Sequence, residues 1–125
     1  MDITPLVPEG QKIIQRYGAG NFIINGESFS YPIMVFADEV VKWNGEADVD
    51  FQNALDMLLA RKEKIEVVLF GLGEQVQSLL PQHLKNELKA AGIATDIMNT
   101  GAACRTYNVL LAEGRNVVAA VFPVE

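Results

Sequence analysis

Side chains able to do chemistry are sparse in this chain, and most of them fall in two short segments that each follow an apolar run. The first, Gly71-Leu72-Gly73-Glu74, follows Ile65–Phe70. The second, Asn99-Thr100-Gly101-Ala102, follows Ile93–Met98 and is continued by Cys104 and Arg105. Small residues at the start of a helix leave its first amides open, and those amides, together with the helix dipole, favour an anion. Arg105, one turn in, adds a charge-assisted contact. The candidate binding residues are therefore Gly71, Leu72, Gly73, Asn99, Thr100, Gly101, Ala102 and Arg105. Each also has a plainer reading: tight turns, ordinary helix capping by Thr100, and a solvated arginine.

Several stronger chemistries fail on spacing. Gly71-x-Gly73 after a strand starts like a dinucleotide fingerprint, but Val76 occupies the third glycine position. Glu87 and Asp96 do not fall at the end of the next strand, where a ribose contact is expected. No Gly-Lys-Ser/Thr follows, so a phosphate loop is excluded. Cys104 is a possible reactive thiol, aided by the helix dipole. The sole histidine, His83, is expected on the outer side of a different helix near Glu87, and Ala102, Ala103 and Tyr107 surround the thiol with packing residues. Glu46, Asp48 and Asp50 alternate; they suit a hard cation, or helix capping and hydration. One His and one Cys cannot make a zinc site. The chain is thus expected to hold no metal and no cofactor, and not to be an enzyme.

The elements that must position these residues read as follows. Residues 1–10 form an extended arm, because Pro5 and Pro8 cannot donate to a ladder. Lys12–Tyr17, Asn21–Ile24, Glu27–Tyr31 and Ile33–Phe36 read as strands, with Asn25-Gly26 a hairpin turn that needs positive φ at both residues. Phe51, Ala54, Leu55, Leu58 and Leu59 repeat at helical spacing, with Asp48 or Asp50 available as a cap. The basic cluster Arg61-Lys62-Glu63-Lys64 suits that helix's C-terminal end. Beyond the strand Ile65–Phe70, Pro81 suits the first position of a helix carrying Leu84, Leu88 and Ala91, which Gly92 stops. After Ile93–Met98, a helix capped by Thr100 runs from Gly101 to Ala112 with Ala103, Tyr107, Leu110 and Leu111 inward. Gly114 ends it, and Asn116–Phe122 is a last strand. Trp43 either closes the core or anchors an interface.

Alternating strands and helices imply parallel crossovers, and the N-terminal hairpins imply antiparallel pairing. The expected fold is α/β: three-layer, with a mixed central sheet, flanking helices and an added N-terminal β-hairpin region, all in one domain, 1–125. In such a sheet both glycine turns lie at the carboxyl ends of their strands, on one edge.

The formal charge of −6 opposes binding to nucleic acid, which needs clustered Lys and Arg. A lone cysteine, the absence of a signal-peptide pattern, and apolar runs far short of the roughly 20 residues of a membrane span point to a cytoplasmic protein without membrane insertion.

The segment Met98-Asn-Thr-Gly-Ala-Ala-Cys-Arg-Thr-Tyr-Asn-Val-Leu-Leu-Ala-Glu-Gly-Arg-Asn-Val-Val-Ala-Ala120 resembles the signature of a widespread uncharacterised domain family. That family includes a mitochondrial complex I assembly factor, the third of the numbered factors, and the human adipogenesis-associated domain-containing protein. Tyr17-Gly-Ala-Gly-Asn-Phe with Ile24-Asn-Gly26, Pro32–Phe36 leading to Trp43, and Phe70-Gly-Leu-Gly73 fit in the same order. The resemblance implies a three-layer fold around a mixed five-stranded sheet and no established activity, cofactor or substrate. For the mitochondrial relatives it implies a role in complex I assembly. The function expected is a non-enzymatic binding or assembly-accessory protein with a protein partner. The alternative is capture of a small anionic ligand, or an uncharacterised activity, at the same crevice.

Overall fold

A computed structural model describes residues 10–43, 51–74 and 80–125. Asn25 and Gly26 have φ of 50° and 84°, as the expected hairpin turn requires. This turn joins β2 (Asn21–Ile24) to β3 (Glu27–Phe29), and β1 (Ile14–Gly18) pairs antiparallel on the other side of β2 to make a three-stranded sheet. Ile14 faces Ile24 while Arg16 faces Ile23, so Gln15 is the extra residue of a bulge. Its side chain accepts the Gly26 amide, at 2.6 Å. Asn25 accepts from the Ile13 amide and donates to the Gln11 carbonyl, which pins the incoming chain to the turn.

The second sheet has five strands in the order β5-β4-β8-β6-β7. β6 (Val67–Gly71), β7 (Ala94–Met98) and β8 (Val117–Val121) are parallel, as their helical crossovers demand, with β6 between the other two. β4 (Ile33–Val35) runs antiparallel to β8 and also pairs with β5 (Val40–Lys42). The mixed sheet and added hairpin region therefore stand as expected, while β5 is new. Three residues including a lysine give too little alternation to mark a strand.

α1 (Phe51–Leu59) and α2 (Gln82–Ala90) cover one face of this sheet; α3 (Thr100–Ala112) and the three-stranded sheet cover the other. Every residue of β8 is buried, the pattern of a strand covered on both sides. Trp43 is fully buried: it stacks on Phe122 at 4.8 Å between ring centroids and meets Phe70 edge-on at 6.1 Å. That settles it as core. Arg61 donates to the Met57 carbonyl in the last turn of α1 and pairs with Glu39 at 3.2 Å, so of the basic cluster it is Arg61 that serves the helix end. Lys62–Lys64 form a separate 3-10 turn, and Lys64 lies 3.5 Å from Asp38.

The small sheet is fastened to α3 by two buried side chains. Asn108 accepts from the Ile14 amide at 3.1 Å and donates to the Ile14 carbonyl at 2.8 Å, imitating a neighbouring strand. Tyr107 directs its hydroxyl at the carbonyls of Lys12 and Phe36, at 2.8 and 3.1 Å.

Several expected boundaries move by one or two residues. Pro81 stands just before α2, its carbonyl accepting from the Leu84 and Lys85 amides, instead of in the first helical position. Gly71 stays in β6 instead of breaking it. The arm's first nine residues, Val76, and Glu46, Asp48 and Asp50 lie outside the described residues.

Candidate functional site

Parallel pairing of β6 and β7 brings Gly71 opposite Met98, so both turns emerge on the same edge of the sheet. They are bonded to each other there. The Leu72 amide donates to the Met98 carbonyl (3.1 Å), the Thr100 amide to the Gly73 carbonyl (2.8 Å), and the Gly73 amide to the Thr100 hydroxyl (3.0 Å). These amides, expected to face a ligand, are spent on closing the crevice.

Thr100 is fully buried. Besides accepting from Gly73, its hydroxyl lies 2.8 Å from the Phe122 carbonyl and 3.2 Å from that of Gly71, and its single proton serves one of them at a time. One side chain thus ties together the ends of β6 and β8 and the 72–73 turn. With that hydroxyl turned inward, the cap of α3 is Asn99, whose Oδ1 accepts the Ala102 amide at 2.8 Å. The expectation that Thr100 caps is corrected on this point: an interior position with three polar neighbours outcompetes a solvent-exposed cap.

The glycines have separate local causes. A Cβ on Gly71 would lie 2.9 Å from Val121 Cγ1 and 3.0 Å from both Ala103 Cβ and the Thr100 backbone, so the close approach is that of α3 together with the Val121 side chain of β8. A Cβ on Gly101 would come within 2.8 Å of the Tyr17 hydroxyl. Gly73 has a φ of 101° and open space above it, so its need is conformational.

Arg105 is exposed. Its guanidinium donates to the Tyr17 hydroxyl and lies 5.9 Å from the centre of that ring. Tyr17 therefore belongs to the surface, carried there by β1 across the chain. A tyrosine at a strand end before a glycine turn was the only sequence signal for it. A groove of about 540 Å³ adjoins it, lined by residues that include Arg16, Asn21, Ile23 and Glu125. Four residues beyond Arg105, and so on the same face of α3, Val109 is 56% exposed; it is the exposed large apolar side chain among the described residues.

Cys104 is buried, and burial pushes its thiol up from 9.0 to about 12, with the Arg105 charge opposing weakly. His83 is exposed on α2, across the sheet from α3, so no imidazole of this chain serves the thiol. Among the described residues, no group of three or more His, Cys, Asp or Glu is placed to hold a metal ion.

The family described as "Protein of unknown function (DUF498/DUF598)" matches residues 14–122. This chain belongs to it. A "13 kDa major membrane protein" of Francisella tularensis is 36% identical over 107 residues, covering 82% of this chain and 84% of that protein. An "NADH dehydrogenase [ubiquinone] 1 alpha subcomplex assembly factor 3" of Xenopus tropicalis is 32% identical over 111 residues; that alignment covers 88% of this chain but 60% of the factor. The crystal structure of "an outer membrane protein" from Bartonella henselae superposes with a TM-score of 0.81 at 36% identity, covering 93% of this chain and 98% of that one. The family relationship drawn from the Met98–Ala120 segment, including its link to a complex I assembly factor, is thereby shown. Two of these names refer to a membrane; among the described residues, no helix is long and apolar enough to cross one.

Proposed function

We propose that this chain is a non-enzymatic, cytoplasmic binding or assembly-accessory protein whose partner is another protein. Its docking surface is the edge where the 71–73 turn meets the first half of α3. The observation that carries this reading is the use of the crevice's polar groups. The Thr100 hydroxyl and the Leu72, Gly73, Thr100 and Ala102 amides all bond within the chain. What faces outward is the Arg105–Tyr17 pair, Asn99 and, one turn on, Val109. An arginine held against an aromatic ring beside an apolar side chain is the composition of an interface anchor. A buried thiol and a closed crevice offer less to a reacting substrate. The relatives named as assembly factors support the same class of role.

The test is affinity capture from the native cell with wild-type and Arg105→Ala baits. Arg105 is exposed, so its replacement should leave the melting temperature within about 2 °C, as surface changes usually stay within about 0.5 kcal/mol. The captured partner should be lost. If the same partner is retained by the variant, the docking surface is elsewhere. If instead a panel of anionic metabolites raises the melting temperature by several degrees in wild type and not in the variant, the small-ligand alternative holds.

A further inference from the structure

A second surface, remote from Arg105, has the form of a strand-addition groove. β7 is the terminal strand of the five-stranded sheet, paired with β6 alone among the described residues. The Ala94 amide donates to the Glu66 carbonyl and the Met98 carbonyl accepts from Leu72, so the backbone of residues 94 and 98 is turned toward β6. By alternation, the backbone groups of Thr95 and Ile97 point to the open edge. Alongside runs α2, and between the two lies a groove of about 380 Å³ lined by Lys85, Lys89, Gln82, Asn86, Ile93 and Thr95. That lining carries two ammonium groups and no carboxylate.

We infer that this edge receives an extended segment of another protein bearing carboxylates on alternate residues, added as a sixth strand beside β7. The spacings agree. Lys85 and Lys89 are one helical turn apart, about 6 Å along α2, and alternate side chains of a strand repeat at about 6.6 Å. An added strand would project every second side chain toward α2, where the lysines stand, while its backbone bonds to Thr95 and Ile97. Val, Thr or Ile on its opposite face would lie along the flank of the sheet.

A second copy of this chain fits less well. Ile97 packs on the α1–α2 side of the sheet and Met98 on the α3 side, so Thr95 and Ile97 share the groove face and Asp96 lies on the other. Pairing β7 with its own copy would bring Thr95 and Ile97 to the lysines and no carboxylate. The molecule's charge of −6 also opposes self-association while leaving these two cations as a local exception. Asp96 adds a guard: its carboxylate accepts the Ile97 amide at 2.9 Å, occupying an edge donor that an incoming strand must take over.

The probe is an end-capped heptapeptide alternating Glu and Val, titrated into the isotopically labelled full chain while amide resonances and exchange rates are followed. The expected result is perturbation and slowed exchange centred on Thr95 and Ile97. Affinity should fall at least tenfold in Lys85→Glu/Lys89→Glu and in the milder Lys85→Gln/Lys89→Gln, and rise several-fold in Asp96→Ala. Arg105→Ala should leave it unchanged, which separates this groove from the surface proposed above. Equal binding of a Lys/Val peptide, perturbations that avoid β7, or indifference to both lysine variants would overturn the inference. So would dimerisation through β7 in the absence of peptide.

Discussion

Replacing Thr100 by Val keeps the shape of the side chain and deletes the hydroxyl that closes the crevice. In the wild type that hydroxyl accepts from the Gly73 amide at 3.0 Å and reaches the Phe122 carbonyl at 2.8 Å. The Gly71 carbonyl loses little, because the Phe122 amide still bonds it at 2.9 Å. The variant therefore leaves one donor and one acceptor short of partners. An unmet buried polar group costs about 1–3 kcal/mol. Gly73 is only half-buried, so water can serve its amide in part. The expected loss is about 2 kcal/mol, or roughly 8 °C in melting temperature for a chain of this size. Thr100→Ser makes the complementary change: it removes a methyl at about 1 kcal/mol and keeps the hydroxyl. Denaturant unfolding of both variants gives the energies, and amide exchange at Gly73 identifies the cause. Gly73 should lose protection in the Val variant and keep it in the Ser variant. A Val variant within about 0.5 kcal/mol of wild type, with Gly73 still protected, would refute the account of Thr100 as the tie.

Other consequences are equally measurable. Because the folded Cys104 thiol titrates near 12 and its ordinary value is 9.0, the unfolded chain releases a proton above pH 9 that the folded chain keeps. Stability should then decline by about 1.4 kcal/mol per pH unit above about 9. Cys104→Ala should flatten the profile from pH 8 to 10, before Tyr107, also raised chiefly by burial, adds its own decline. Asn108→Leu strands both backbone groups of Ile14 and should cost about 2–5 kcal/mol, with exchange quickening first in β1. Gly71→Ala drives a methyl against the backbone of Thr100 as well as two side chains. It should destabilise by about 1–3 kcal/mol in denaturant unfolding, with displaced α3 resonances.

Much of the architecture was legible from local pattern. β2 falls on the residues its alternation marked, the Asn25-Gly26 turn adopts the positive φ values its residue types suit, and α1 ends with its apolar repeat at Leu59. Parallel pairing of β6, β7 and β8 follows from the helices between them. β5 escaped, since three residues paired only through β4 carry no periodic signal of their own. Within the candidate site, the common position of the two turns was readable from topology alone. The fate of its donors was not. Thr100 and Asn99 are neighbours with similar capping ability, and the choice between them is made by the Gly71 and Phe122 carbonyls, 29 and 22 residues away.

By itself, then, the sequence determined the order and kind of most elements and the edge on which the turns emerge, because each follows from patterns among near neighbours along the chain. Tertiary structure alone decided that Gly71 yields to α3 and Val121, that Tyr17 meets Arg105 across 88 residues, and that Asn108 holds β1 across 94. A hydrogen bond or close contact exists only between groups that packing brings within about 3–4 Å. Spacing along the chain gives no measure of that distance until the layers are assembled.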